Sequence, residues 1–193
     1  MSSHADNHVG AGVDGLPVYP RLNVFGSTLL PAPVSTAAGH PDTGFFRNNY
    51  CDASPMDPGS HTVAAVVGKD FLEFSKSQGN DLTPLFPSLF SSSPSPSSPS
   101  SPTPPCVWCL CASRWLQALQ ASSSHPLGEK IVPRLVLEAT HERALKEKGG
   151  VLERRVVEEW GVGGDGEGRV EGMVTGTGGG GQVGGKGGDK VGR

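Results

Sequence analysis

Apolar positions in this chain fall into short clusters separated by turn-forming stretches, and their period changes from one cluster to the next. Val63-Ala64-Ala65-Val66-Val67 is a continuous apolar run preceded by the turn signal Asp57-Pro58-Gly59, and it predicts a strand over residues 61–67. After Gly68 the spacing turns helical. Phe71, Leu72 and Phe74, with Ser75 beside them, share one side of a predicted helix over residues 69–78, with Gly68 as N-cap and Gly79 as its terminator. Residues 107–112 predict a second strand, whose alternation sets Cys109 and Cys111 on one face and Trp108 and Leu110 on the other. A helix over residues 113–121 follows and buries Trp115, Leu116 and Leu119. Residues 134–139 predict a third strand, and Thr140 caps a final helix to about residue 148 in which Leu145 faces inward. Nearer the N-terminus, Asn23-Val24-Phe25-Gly26 reads as a short strand ending at glycine, and the adjacent Phe45 and Phe46 anchor a turn-rich loop.

Strand followed by helix, three times over, with loops ahead of it, fits a small α+β domain built as a two-layer sandwich; a small α/β arrangement with parallel strands is the alternative. The domain is expected over residues 23–147. Glycine (28 residues) and proline (17) are unevenly spread, and this decides the remaining boundaries. Residues 1–22 are polar and aperiodic, a disordered leader. Residues 90–106 form a low-complexity serine-proline insertion, and residues 148–193 a glycine-rich disordered tail, because neither composition buries enough apolar surface to offset chain entropy.

Charge narrows the function classes. A net charge of −3 and a pI near 6.0 give no basic face for nucleic acid, and no apolar run approaches the length of a membrane span. The first residues carry no basic region and no apolar run of a presequence, so the expected location is the cytoplasm. Of the four cysteines, Cys51, Cys106, Cys109 and Cys111, a reducing compartment would leave the thiols free unless they bind metal or do chemistry.

The blocks Asn23-Val24-Phe25-Gly26, Asp42-Thr43-Gly44-Phe45-Phe46-Arg47 and Gly59-Ser60-His61-Thr62-Val63 come first. Phe71-Leu72-Glu73-Phe74-Ser75 with Gly79-Asn80-Asp81-Leu82 follows, then Trp108-Cys109-Leu110-Cys111-Ala112-Ser113-Arg114-Trp115 and Leu137-Glu138-Ala139-Thr140-His141-Glu142-Arg143-Ala144-Leu145. In this order, over residues 23–145, they resemble the domain-of-unknown-function family 2237, compact proteins found mainly in bacteria. The resemblance implies an α+β domain and brings no assigned activity. This chain departs from the family pattern at Pro31-Ala32-Pro33, Tyr50 and Ala64, where members carry further cysteines, and at the serine-proline insertion.

Candidate chemistry is sparse. Cys106-x-x-Cys109-x-Cys111 has the look of a thiolate cluster, but Cys106 ends the low-complexity run; Cys109 and Cys111 remain, with His61, His141 or Cys51 to complete a metal set. Against this stands the ordinary role of cysteine as a small buried hydrophobe. His141-Glu142 opens like the zinc-protease helix, yet Leu145 stands where the second histidine would be. At a helix start the same pair would suit an anion or a titrating couple, or simply a cap and a dipole partner. Asp81 is either a catalytic carboxylate or a turn residue bonding local amides. The candidate catalytic set is therefore His141, Glu142, Asp81, Cys109 and Cys111, and the candidate metal set Cys109, Cys111, His61 and His141. No cofactor is clearly implied, and whether the chain is an enzyme stays open. Gly161-x-Gly163-x-x-Gly166 matches a dinucleotide fingerprint without the strand and helix it needs, and Pro99-Ser100-Ser101-Pro102 matches a minimal proline-helix ligand without a basic neighbour. Two functions follow: a small domain with a ligand or catalytic site at the His141-Glu142 helix start, or a non-catalytic binding or assembly domain in which the same residues hold the fold.

Overall fold

A computed structural model describes residues 10–11, 17–33, 41–90 and 106–162; the expected disorder of the leader's first residues, the serine-proline run and the far glycine tail falls outside these. The strands are β1 (Gly10–Ala11), β2 (Pro17–Val18), β3 (Val63–Val67), β4 (Cys106–Leu110) and β5 (Arg134–Leu135), and the α-helices are α1 (Lys69–Ser77), α2 (Ala112–Ser122) and α3 (Arg154–Glu159). The fold is α+β. Its centre is a three-stranded sheet in the order β4-β3-β5, with β3 antiparallel to both neighbours. The parallel alternative is thereby excluded.

Alternation along the strands sorts the side chains onto two faces. Val63, Ala65, Val67, Trp108, Leu110 and Leu135 pack with Phe71, Leu72 and Phe74 of α1, Ala112, Trp115 and Ala118 of α2, and Val157 of α3 in the larger apolar core. Ala64, Val107, Cys109 and Val136 point to the other face, where Ala32, Cys51 and Ala139 cover them from loops. Helices therefore form one layer over one face of the sheet, and loops close the other.

Helix α1 is formed as its sequence predicts. Its last turn closes with Gly79 N–H on the Lys76 carbonyl (3.0 Å) and Asn80 N–H on the Ser75 carbonyl (2.9 Å), a Schellman ending that needs the left-handed Gly79 (φ 83°). Other local expectations are corrected by tertiary bonding. Asn23-Val24-Phe25-Gly26 is a turn, with Asn23 Oδ1 accepting from the N–H groups of Phe25 and Ser27. The third strand ends at Leu135. The Thr140 hydroxyl takes the Ala64 N–H (3.2 Å) and donates to the Val136 carbonyl (2.9 Å), drawing the chain into a 3-10 turn at Leu137–Ala139.

The predicted helix over 140–148 is replaced by two 3-10 turns, Glu142–Ala144 and Lys146–Lys148. Its amides are claimed elsewhere: Glu142 N–H bonds the Leu22 carbonyl and Lys146 N–H the Leu152 carbonyl, both at 2.8 Å. The fold also extends beyond both expected ends. Val18 is buried and Tyr19 N–H bonds the Ala53 carbonyl, so part of the expected leader is packed. Leu152, Val157 and Trp160 are buried, and Leu135 N–H bonds the Trp160 carbonyl, so packed chain continues past residue 148 among the described residues. No helix among the described residues is long and apolar enough to cross a membrane.

Candidate active site

Antiparallel pairing sets the start of β3 beside the end of β4: Val63 faces Leu110, and one step further Ala112 N–H bonds the Ser60 carbonyl at 3.0 Å. The side chains that flank these strand ends are His61 and Cys111. They meet, with Cys111 Sγ 3.2 Å from His61 Nε2. On the other side of the ring, His61 Nδ1 lies 2.8 Å from Asp57 Oδ1. Thiol, imidazole and carboxylate thus stand in line.

Asp57 orients the ring and builds the turn under it. Its carboxylate also accepts from the Gly59 N–H (3.0 Å) and from the His61 backbone N–H (2.6 Å). With its side chain 1% exposed, it is fixed in place, whereas the His61 side chain remains 34% exposed and open to solvent. A carboxylate on Nδ1 holds that nitrogen as a donor and favours the imidazolium, whose Nε2–H faces the Cys111 sulfur. Ser60 completes the turn with a left-handed backbone (φ 49°), unusual for a residue other than glycine. Its carbonyl binds the N–H groups of Thr62 and Ala112, so the neighbouring chain enforces that conformation. Gly59 lies against the pair so closely that a Cβ there would come within 2.7 Å of His61 Cε1 and 3.2 Å of Cys111 Sγ.

The His61 pKa is raised to about 9, first by the bond to Cys111 and then by Asp57, with burial pulling the other way. Cys111 is also the N-cap of α2. In the first turn of that helix, the Ser113 N–H has no acceptor among the described residues, so a backbone donor is available two residues from the sulfur.

The loop face behind this site is closed by a Cys51–Cys109 disulfide, Cα atoms 5.2 Å apart across 58 residues of sequence. This corrects the expectation of free thiols: in this bonded form Cys109 offers no thiolate to a metal or a reaction. Beside it, Cys109 N–H donates to the Thr43 hydroxyl (2.8 Å), so the loop covers the outer edge of β4. Cys106 is a buried thiol whose pKa burial raises.

The remaining sequence candidates lie apart in role. Asp81 is exposed, bonded to Thr83 and paired with Lys76 (3.1 Å), contacts that lower its pKa. Glu142 is buried and pairs with Lys148 at 3.4 Å. His141, not Thr140, is the capping residue: its Nδ1 accepts the Arg143 N–H (3.1 Å). The ring is fully buried, and Nε2 has no hydrogen-bond partner among the described residues. Burial foremost pushes its pKa down to about 4, helped by Arg143 and Arg21, against the charge of Asp52. The candidate metal set is divided by these placements, and no group of three or more His, Cys, Asp or Glu among the described residues is arranged to hold an ion.

The sequence profile of a family described as an uncharacterized protein conserved in bacteria matches residues 22–148, more than half the chain. The chain belongs to DUF2237. No curated relative matches it. Asp57, His61 and Cys111 all lie inside the DUF2237 span, whereas α3 and its buried Val157 lie beyond it. The sequence groups His61 and Cys111 only as members of one candidate metal set, and marks Asp57 as part of a turn signal. The signal that joins them is the four-residue step from Asp57 to His61, with each of His61 and Cys111 at the end of a predicted strand.

Proposed function

We propose that this DUF2237 chain is a thiol-dependent enzyme that works by covalent catalysis at Cys111. The observation that carries the reading is the line Asp57–His61–Cys111, with both ring nitrogens engaged at 2.8 and 3.2 Å. His61 holds the thiol proton as an imidazolium between the sulfur and Asp57, in keeping with its raised pKa, and the sulfur so freed attacks an electrophilic carbonyl. The tetrahedral oxygen meets the Ser113 N–H at the start of α2. As the leaving group departs it takes the proton from His61, and a thioester on Cys111 remains. Water, deprotonated by the same ring, then hydrolyses that thioester and restores the thiol. The candidate pair His141-Glu142 gives way here to the 57–61 turn, because His141 is sealed in the interior while His61 is open to solvent.

The working compartment is read as the cytoplasm, where a partly exposed Cys111 is kept reduced. The Cys51–Cys109 bond, with both residues buried, is shielded from the thiol pool there. The test is acyl trapping. Acid quenching during turnover of p-nitrophenyl acetate should catch a single acetyl adduct, located on Cys111 by peptide mass spectrometry. It should be absent from Cys111→Ser and strongly reduced in His61→Ala. An adduct distributed over surface lysines and unchanged by either substitution would leave the chain as a non-catalytic domain.

A further inference from the structure

The site described above has a rim, and its composition differs from the turns around it. Phe45 stacks on the His61 ring, centroids 6.2 Å apart and planes at 25°, and still leaves 38% of its surface exposed. An exposed ring on a mobile loop would be unremarkable, but this one is held. Phe46 meets it edge-on at 5.0 Å. Asn49 Oδ1 accepts from the Thr43 N–H (2.9 Å), and the Asn49 N–H returns to the Thr43 carbonyl (3.0 Å). Thr43 itself is bonded to β4 at Cys109, so the base of the turn is tied to the strand that carries the nucleophile. Gly44 enters the turn with φ 88°, and a Cβ there would run into the Tyr50 carbonyl, which fixes the course of the chain into Phe45. Next to Asp57 in the second turn, Met56 is 51% exposed. Gly59 fills the space against Cys111 and His61 with backbone, closing that approach.

Resting on the reading of Cys111 as nucleophile, we propose that Phe45 is a specificity-determining residue that selects electrophiles with an aromatic or aliphatic group beside the reacting carbon. A flat apolar group laid on the exposed part of the Phe45 ring gains burial and offset stacking at a fixed distance from the sulfur, whereas a small polar reagent gains neither. Because the turn is already rigid, little ordering cost is charged against that contact.

Two alkylating reagents that share one reaction isolate the effect: iodoacetamide and N-benzyl-iodoacetamide, each transferring its carbon to the Cys111 sulfur with loss of iodide. Rates at Cys111 are read by peptide mass spectrometry on the folded, full-length chain and divided by the rates with free cysteine. The expected result is about a tenfold preference for the benzyl reagent, in line with a gain of roughly 1.4 kcal/mol from one buried ring face. Phe45→Ala should bring the ratio of the two normalised rates to about one, and this ratio is the readout because any change in the His61–Cys111 pair acts on both reagents alike. Equal normalised rates for the two reagents in the wild-type chain, or a preference that survives Phe45→Ala, would overturn the proposal. Slow iodoacetamide labelling of Cys111 in the wild-type chain, no faster than free cysteine, would instead strike at the nucleophile itself.

Discussion

The two faces of the central sheet are closed by different means. The helical face is closed by size: Trp115, Phe71, Leu72 and Leu135 are fully or almost fully buried, and shape complementarity among large side chains excludes water. The loop face has alanine, valine and cysteine where the helical face has tryptophan and phenylalanine. Such small groups bury little area, so closure falls to a covalent bond, the Thr43 and Thr140 hydroxyl straps, and the Arg21–Asp52 ion pair, bidentate at 2.7 Å. The difference teaches where a site can be built. A face packed by interlocking rings leaves no room for an ordered polar constellation, whereas a face assembled from turns can hold Asp57, His61 and Cys111 in line at its edge.

The largest test of this division lies on the helical face. Trp115 is fully buried, meets Trp160 edge-on at 6.1 Å and donates its indole N–H to the Pro133 carbonyl at 2.9 Å. Trp115→Ala should cost about 4–5 kcal/mol in urea unfolding, from the cavity and the orphaned carbonyl together. The molecules that stay folded should retain Cys111 reactivity; loss of reactivity in that population would mean that the two faces are not independent.

On the loop face the comparable effect is covalent. The disulfide spans 58 residues, and the chain-entropy relation puts its stabilisation at about 4 kcal/mol. Replacing Cys51 and Cys109 together by serine should lower the urea midpoint correspondingly, and reductant should then have no further effect on stability. A midpoint unchanged by the double substitution would assign closure of this face to the hydroxyl straps and the Arg21–Asp52 pair alone.

The two histidines of the loop face give opposite pH limbs. His141 is held near 4 against 6.5 when unfolded, so the unfolded chain takes up the proton first. The contribution of His141 should be flat above about pH 6.5, lower stability by about 3 kcal/mol as pH drops toward 4, and level off below. His61, raised to about 9, behaves in reverse: its contribution is complete below about 6.5 and is lost as pH rises through 9. Unfolding free energies across this range should show both limbs. His141→Leu should flatten the acid limb alone, and His61→Ala the alkaline limb alone.

The smallest effect on stability should come with a sharp effect on chemistry. Gly59→Ala sets a methyl group against the His61 ring and the Cys111 sulfur. It should cost under about 1 kcal/mol, because the turn is partly exposed and the ring can move outward. Cys111 alkylation should nonetheless slow by roughly tenfold as Nε2 leaves the thiol. An unaltered rate would show that the contact between ring and sulfur is dispensable.

Local signals were the legible part of the sequence. The β-branched run of β3 and the Gly68 and Gly79 boundaries of α1 depend on neighbours within a few residues, and the structure agrees with them. What escaped depends on partners far along the chain. Residues 136–148 carry strand and helix patterns, but Leu22, Ala64 and Leu152 take their backbone groups and impose 3-10 turns. Val156, Val157 and Trp160 make a helical apolar set, yet the glycine that follows dilutes it below notice. The Cys51–Cys109 pairing was closed to inference, since four cysteines allow several pairings and a reducing compartment argues for none. The site was half legible. His61 and Cys111 each stood out, but only the antiparallel register of β3 and β4 brings them together, and the carboxylate expected from Asp81 or Glu142 comes instead from the turn residue Asp57.

The central claim is that Cys111 is a nucleophile because His61 and Asp57 make it one, and the rate of its alkylation by iodoacetamide at pH 7 measures this directly. With adducts assigned by peptide mass spectrometry, Cys111 in the folded chain should react at least about tenfold faster than the same residue in urea-unfolded chain. His61→Ala should erase that excess, and Asp57→Asn should remove most of it by taking away the carboxylate that stabilises the imidazolium. A Cys111 that reacts no faster folded than unfolded, or whose rate is indifferent to His61→Ala, would contradict the account.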